Sequence, residues 1–259
     1  MGFFTSGLFL ALLSLAGTSI AQCTTGKTTG GSFGRKYGPY VSIGGTKNQI
    51  IRMETLYTPG KKPPRSKGVL FLWPGMNDQA NKGSDLIQTV IEAPGNCGAE
   101  QWCLAPYVFI FLRKASGTGL GADEDRVVMH GYSVADWDKR LAIAPDSPIN
   151  ITYSRKDKNW VQTTTVVKSG KQLHEYVRGT GALKGWGTGT EVQSGHPGTV
   201  DTQYYEQTII ELASPDPGFA KTHTITGTGK SKAISTPVKT TDNKVFTIEK
   251  ITLPPWSNC

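Results

Sequence analysis

"DLIQTVIE", Asp85 to Glu92, is the stretch on which the reading of the fold turns. With the two-residue period of a β-strand, Ile87, Thr89 and Ile91 point to one side and Leu86, Gln88, Val90 and Glu92 to the other. The first set is core in character. The second mixes apolar side chains with an amide and a carboxylate, so it is either a solvated outer surface or a face whose polar groups touch something. Working outward, further short runs rich in Val, Ile, Thr, Tyr or Phe and bounded by Gly, Pro, Asn or Asp recur along the chain. They are Gln49 to Thr58, Gly68 to Trp73, Leu104 to Leu112, Arg126 to Ser133, Ile149 to Ser154, Trp160 to Val167, Gln203 to Leu212, Thr222 to Thr226 and Val245 to Thr252. No window carries a sustained 3.6-residue apolar period, although Tyr132 to Ala142 could form one or two helical turns. This pattern predicts an all-β chain folded as a two-sheet antiparallel β-sandwich or jelly roll.

The chain opens with "MGFFTSGLFLALLSLAGTSIAQ", an uncharged apolar run followed by the small-x-small site Ser19-Ile20-Ala21. This reads as a secretory signal peptide over residues 1–21 and predicts an extracellular protein. The run is too short to span a bilayer, and no membrane partner is expected. Residues 22–259 are long enough to bury a sizeable core, and one sandwich domain is the favoured reading. Four cysteines, Cys23, Cys97, Cys103 and Cys259, make an even count in an exported chain and read as disulfides, with three pairings open. The favoured pairing closes "CGAEQWC" between Cys97 and Cys103 and ties the chain ends through Cys23 and Cys259. A metal site is the weaker alternative, since no CxxC occurs and the four histidines are scattered.

The formal charge of +8 either serves solubility or attracts a polyanion such as a polyuronide or acidic glycan. Nucleic acid is not expected outside the cell. The densest basic run, Gly60 to Gly68, carries two prolines and reads as an exposed loop. "GTGKSK" at Gly227 to Lys232 ends like a phosphate-binding loop, but Thr224 stands where the upstream glycine is needed, so a nucleotide site is rejected. Gly179 to Gly198, with Trp186 flanked by glycines, reads as a long loop whose tryptophan stacks on a sugar ring, lids a cleft or plugs its own loop. Asn150-Ile151-Thr152 is an N-glycosylation sequon and predicts a glycan at Asn150. GxSxG and HExxH are both absent, so the chemistry is expected from side chains, with no cofactor and no metal. In "QYYEQTIIEL", alternation puts Tyr204, Glu206, Thr208 and Ile210 on one face and Tyr205, Gln207, Ile209 and Glu211 on the other. A carboxylate covered there would lose hydration and become a general acid or base.

The order of these features resembles, chiefly at the level of fold, that of the fungal glutamic peptidases (eqolisins). These are secreted concanavalin-like sandwiches in which a Gln and a Glu on neighbouring strands of a concave sheet activate water. Trp73-Pro74-Gly75 followed by Leu86-Ile87-Gln88 matches the family's Trp-x-Gly strand followed by a Leu-Gln strand. Asp146 to Ile151, Trp160 to Gly170, and Glu206 with Glu211 occupy the later places. The match runs from Trp73 to Leu212, then loosely from Phe246 to Thr252. Gln207 stands after Glu206 where the family has Trp. The resemblance implies Glu206 as general base and Gln88 as oxyanion donor, facing each other in an open cleft with Trp73 or Trp186 at its rim. Trp73, Tyr204, Tyr205 and Trp186 are the aromatic candidates for contacting an extracellular polymer, and a monomer is expected.

Two other functions use the same sheet. A lyase on anionic polysaccharide would take Tyr204 or Tyr205 as base with Gln88, Arg52 and His174, and a glycosidase would pair Glu92 with Glu206. A non-catalytic glycan-binding or interaction protein needs only the aromatic residues and the loops.

Overall fold

Which side of each strand meets the core follows from alternation, and the computed structural model shows it strand by strand. It describes residues 36–64, 67–79, 85–93, 97–112, 126–131, 140–193, 200–227 and 229–257. In chain order the described strands are β1 (Lys36–Ile43), β2 (Ile50–Thr58), β3 (Val69–Asn77), β4 (Leu86–Ala93), β5 (Trp102–Leu112), β6 (Arg126–Gly131), β7 (Leu141–Ile143) and β8 (Ile149–Lys156). They continue with β9 (Asn159–Val166), β10 (Gln172–Gly179), β11 (Gly185–Gln193), β12 (Gln203–Leu212), β13 (Thr224–Ile225), β14 (Ile234–Ser235), β15 (Lys239–Thr240) and β16 (Val245–Leu253). All pairings between them are antiparallel.

The strands form two sheets. Sheet A runs β13-β1-β11-β3-β4-β5-β6 with β7 on β5, and sheet B runs β10-β9-β8-β2-β12-β16-β14 with β15 on β16. Their inner faces share one core. Ile43, Leu72, Ile87, Ile91, Val108 and Trp186 come from sheet A, and Met53, Tyr57, Ile151, Tyr153, Trp160, Tyr205, Ile210 and Phe246 from sheet B. Each large apolar side chain so buried contributes about 1.5–3 kcal/mol relative to exposure. The predicted all-β antiparallel sandwich is the fold observed.

The core holds buried polar side chains, and some of them reach across it. Tyr57 donates from β2 to Gln203 Oε1 at 3.1 Å, and Gln203 Nε2 donates to Thr190 Oγ1 of the opposite sheet at 3.0 Å. Such bonds fix the register of one sheet over the other, because sliding either would leave buried donors unpaired.

Several expectations change. Within the stretch read as a long loop, Gly179 to Gly198, the described part holds β11, an interior strand of sheet A, and 194–198 lie outside the described residues. Glycine is depleted from strands, which hid it. β1 and β10 were also missed. Strict alternation fails in β12, where Gln207 has φ 51° and the register against β2 shifts between Glu206 and Ile209. This bulge turns Tyr204, Glu206, Ile209 and Glu211 outward, while Thr208 and Ile210 are buried. Cys97 and Cys103 are bridged as expected. The signal segment, Cys23, Cys259, and residues 132–139 of the helical turn considered above lie outside the described residues; Leu141–Ile143 is strand. Among the described residues, no helix is long and apolar enough to cross a membrane.

Candidate functional site

The polar side of "DLIQTVIE" is the outer face of sheet A, and it is covered rather than solvated. Gln88 is 9% exposed, Val90 5% and Glu92 2%. Antiparallel register sets their neighbours in three rows. Tyr107, Gln88, Gly75, Gly187 and Ser42 form one; Cys103, Glu92, Phe71, Glu191 and Tyr37 form another. The row between them brings Val90, Trp73, Gly189 and Tyr40 together, Val90 standing opposite Trp73 in the register that pairs Leu72 with Ile91 and Gly75 with Gln88.

Glycine shapes the middle of this face. Gly185, Gly187 and Gly189 all turn the same way on β11, while the intervening Trp186, Thr188 and Thr190 are buried. The result is a trough floored by backbone, with β1 on one side and β3 on the other. Two positions exclude a side chain by close approach. A Cβ on Gly189 would stand 3.0 Å from Tyr40 Cβ and 3.6 Å from Trp73 Cζ2, so the indole lies across it. A Cβ on Gly75 would stand 2.8 Å from Gln88 Cγ.

Two amides border these glycines: Gln88 lies against Gly75, and Gln79 lies against Gly185 with its Nε2 donating to Asn77 Oδ1 at 2.6 Å. Trp73 Nε1 is enclosed and has no hydrogen-bond partner among the described residues. An enclosed polar group lacking a hydrogen bond costs about 1–3 kcal/mol, so the Trp73 N–H is a donor left over at this face.

One end of the face is walled by a buried ion pair. Glu92 and Arg140 contact each other with 3% of either side chain exposed. Arg140 Nη2 also donates to the Tyr107 hydroxyl at 3.2 Å. Burial pushes the Arg140 guanidinium down to about 10, which leaves it charged at neutral pH. Val90, Ala105 and Tyr107 with Phe71 and Trp73 make a small apolar cluster of their own here, separate from the main core.

The other expected site residues are elsewhere. Glu206 is on sheet B, turned to its outer face beside Lys250 Nζ at 3.5 Å, and both side chains are about half exposed. It therefore cannot meet Gln88, and the Gln88–Glu206 dyad is not formed. The proposed Glu92 and Glu206 pair fails for the same reason. Tyr204 is exposed on sheet B with Lys250 Nζ 5.1 Å above its ring, and Tyr205 is fully buried with its phenol pushed up by burial. Trp186 is core, not a lid. Arg52 pairs with Glu54 on the outside of sheet B. His174 lies on the inner side of β10, its Nε2 3.4 Å from Thr164 Oγ1, pushed down to about 4 by burial. The lyase set is thus dispersed over a core, two sheets and an outer face. Trp73 alone keeps its expected place beside Gln88. Asn150 is on β8, an interior strand rather than an edge, and its Nδ2 donates to Glu54 Oε1 at 2.8 Å, a bond a glycan would have to displace.

Arg140, Tyr40 and the trough glycines were not anticipated from sequence. The alternating glycines of "GWGTGT" are a period-two signal that could have revealed β11. Among the described residues, no group of three or more His, Cys, Asp or Glu is placed to hold a metal ion.

No protein-family model matches the chain, and no curated protein matches it. Among solved structures it is similar to scytalido-glutamic peptidase with a transition state analog inhibitor, at 10% identity and TM-score 0.48, covering 84% of this chain and 99% of that one. It is similar also to SCP-B, a member of the eqolisin family of peptidases in complex with the tripeptide Ala-Ile-His, at 9% identity and TM-score 0.47, covering 87% and 100%. A third is the full-length tailspike protein 2 of an Escherichia coli O157:H7 bacteriophage, at 11% identity and TM-score 0.38, covering 65% and 20%. The resemblance to glutamic peptidases is faint and at the level of fold.

Proposed function

We propose that the protein is an extracellular binding protein for an extended glycan chain, held on the outer face of sheet A. The observation that carries this reading is the trough itself: a glycine floor crossed by the Trp73 indole, with the Gln88 amide beside it. A flat indole over a backbone floor suits the apolar face of a sugar ring, and a primary amide offers a donor and an acceptor to ring hydroxyls. The floor amides of interior strands are spent in the ladder, which favours hydroxyl-bearing rings over a peptide backbone seeking β-pairing. The apolar leader and the Cys97–Cys103 bridge support the extracellular setting.

Hydrolysis by a Gln and a Glu has less support. The carboxylates turned to this face from the described residues are Glu92, bound to Arg140, and Glu191, four residues along β11 from the Gln88 row and so about 13 Å away along the strand. Glu92 is likewise four residues along β4 from Gln88, about 13 Å along the strand.

Affinity electrophoresis or calorimetry against a panel of neutral and acidic polysaccharides tests the proposal. Trp73→Ala and Gln88→Ala should each weaken retention by about tenfold or more, the scale of one lost polar or stacking contact. Retention unchanged in both variants refutes the site. Release of new reducing ends, or of peptides from a protein substrate, that Gln88→Ala abolishes would make the protein an enzyme instead.

A further inference from the structure

The Gln88 platform is held from behind, and the device begins with a proline in an unusual place. Pro74 belongs to β3, an interior strand, although proline has no N–H to give to a ladder and is ordinarily confined to edges. The register that pairs Leu72 with Ile91 and Gly75 with Gln88 sets Pro74 opposite Thr89. Between those two residues the direct exchange of hydrogen bonds is interrupted. Tyr153 fills the gap from sheet B. Its hydroxyl accepts from the Thr89 backbone N–H at 2.6 Å and donates to the Pro74 carbonyl at 3.0 Å. Two further core side chains act beside it. Thr188 Oγ1 donates to the Trp73 carbonyl at 2.9 Å, and Gln162 Nε2 donates to the Tyr107 carbonyl at 3.2 Å. Tyr153 and Gln162 are themselves cross-strand partners in β8 and β9. Trp73, Gln88 and Tyr107 therefore stand on backbone whose carbonyls or neighbouring amides are gripped from the inner side.

We infer that Tyr153 is a positioning residue for the site on the opposite face of sheet A: its hydroxyl, inserted between Pro74 and Thr89, sets where Trp73 and Gln88 stand. The inference rests on the glycan reading for its ligand, but the geometry it describes does not. A hydroxyl that accepts one bond and donates another spends both of its directed capacities. Removing it orphans an N–H and a carbonyl in residues that are fully covered, and the two strands then either close directly or loosen. Both outcomes move Gln88, the residue next to Thr89.

The test uses isotope-labelled full-length protein and Tyr153→Phe, with Gln88→Ala as its control. In Tyr153→Phe the Thr89 amide should exchange with solvent about tenfold or more faster than in the wild type, while Ile87 and Ile91 keep their protection, as loss of one hydrogen bond requires. The side-chain amide resonances of Gln88 should shift or broaden, and affinity for whichever polysaccharide the wild type retains should fall by about tenfold. Gln88→Ala should lose affinity with Thr89 exchange unchanged. Wild-type Thr89 protection together with unmoved Gln88 resonances in Tyr153→Phe overturns the inference. Affinity indifferent to Gln88→Ala overturns the glycan reading and leaves the exchange data to judge Tyr153. If Tyr153→Phe does not fold, the wild type decides: a slowly exchanging Tyr153 hydroxyl proton in contact with the Thr89 amide proton supports the inference, and its absence overturns it.

Discussion

Replacing Arg140 by Met keeps the length and most of the volume of the side chain and removes its charge. Glu92 is then left with 3% of its side chain exposed and no cation beside it. Breaking a buried ion pair from one side costs about 3–5 kcal/mol, because the surviving charge keeps its desolvation penalty without its compensation. Loss of the bond to the Tyr107 hydroxyl adds about 1 kcal/mol. A total of about 4–6 kcal/mol is a large part of the stability of an ordinary domain. Glu92→Leu should cost a similar amount by stranding the guanidinium. The double variant, apolar on both sides, should recover most of the loss, since the apolar cluster of Val90, Ala105 and Tyr107 is already there to receive it. Urea unfolding of the four proteins, followed by tryptophan fluorescence without reductant, closes the cycle. Single losses below about 1 kcal/mol, or a double variant whose loss is the sum of the two, would refute the claim that this pair is buried and coupled.

Three other outcomes are expected. His174 is pushed down to about 4, so the unfolded chain binds its proton more readily than the fold does; stability is full above pH 6.5 and falls as pH drops toward 4, by about 3 kcal/mol. The half-buried His223, also pushed down by burial, adds in the same direction, and His174→Gln should flatten most of the change in urea midpoint between pH 7 and pH 4. Cys97→Ser with Cys103→Ser should cost about 2 kcal/mol, as the loss of a short loop closure does, measured by the shift in urea midpoint. Glu206→Gln should change stability by less than about 0.5 kcal/mol and leave polysaccharide retention untouched, because its partner Lys250 is exposed and the trough is on the other sheet.

The strands that were legible are those whose side chains alternate without interruption. Gln203 to Leu212 has the boundaries read from sequence, and β2, β4, β5, β8 and β16 begin or end within a few residues of theirs. β11 was passed over because three of its outward positions, Gly185, Gly187 and Gly189, are glycines, which strand composition disfavours even though their spacing has the period of a strand. The bulge at Gln207 was illegible for a different reason. A single residue in the left-handed region reverses the parity of all that follow, and β-strand composition carries no mark of it.

Gln88 and Trp73 were chosen from sequence and do stand together, since β3 and β4 are adjacent in the chain and pair directly. Glu206 was chosen by the same reasoning and falls on the other sheet. The amino-acid sequence by itself determined the all-β class, the two faces of those strands that alternate without a bulge, and the local disulfide, because these depend on periodicity and on residues close in the chain. Only the tertiary structure decided which face of which sheet each polar residue joined, and that Arg140, Tyr153 and Gln162 would reach Glu92, Thr89 and Tyr107. Those contacts link residues far apart in sequence, and strand order across two sheets is settled by how all the strands bury their apolar faces at once.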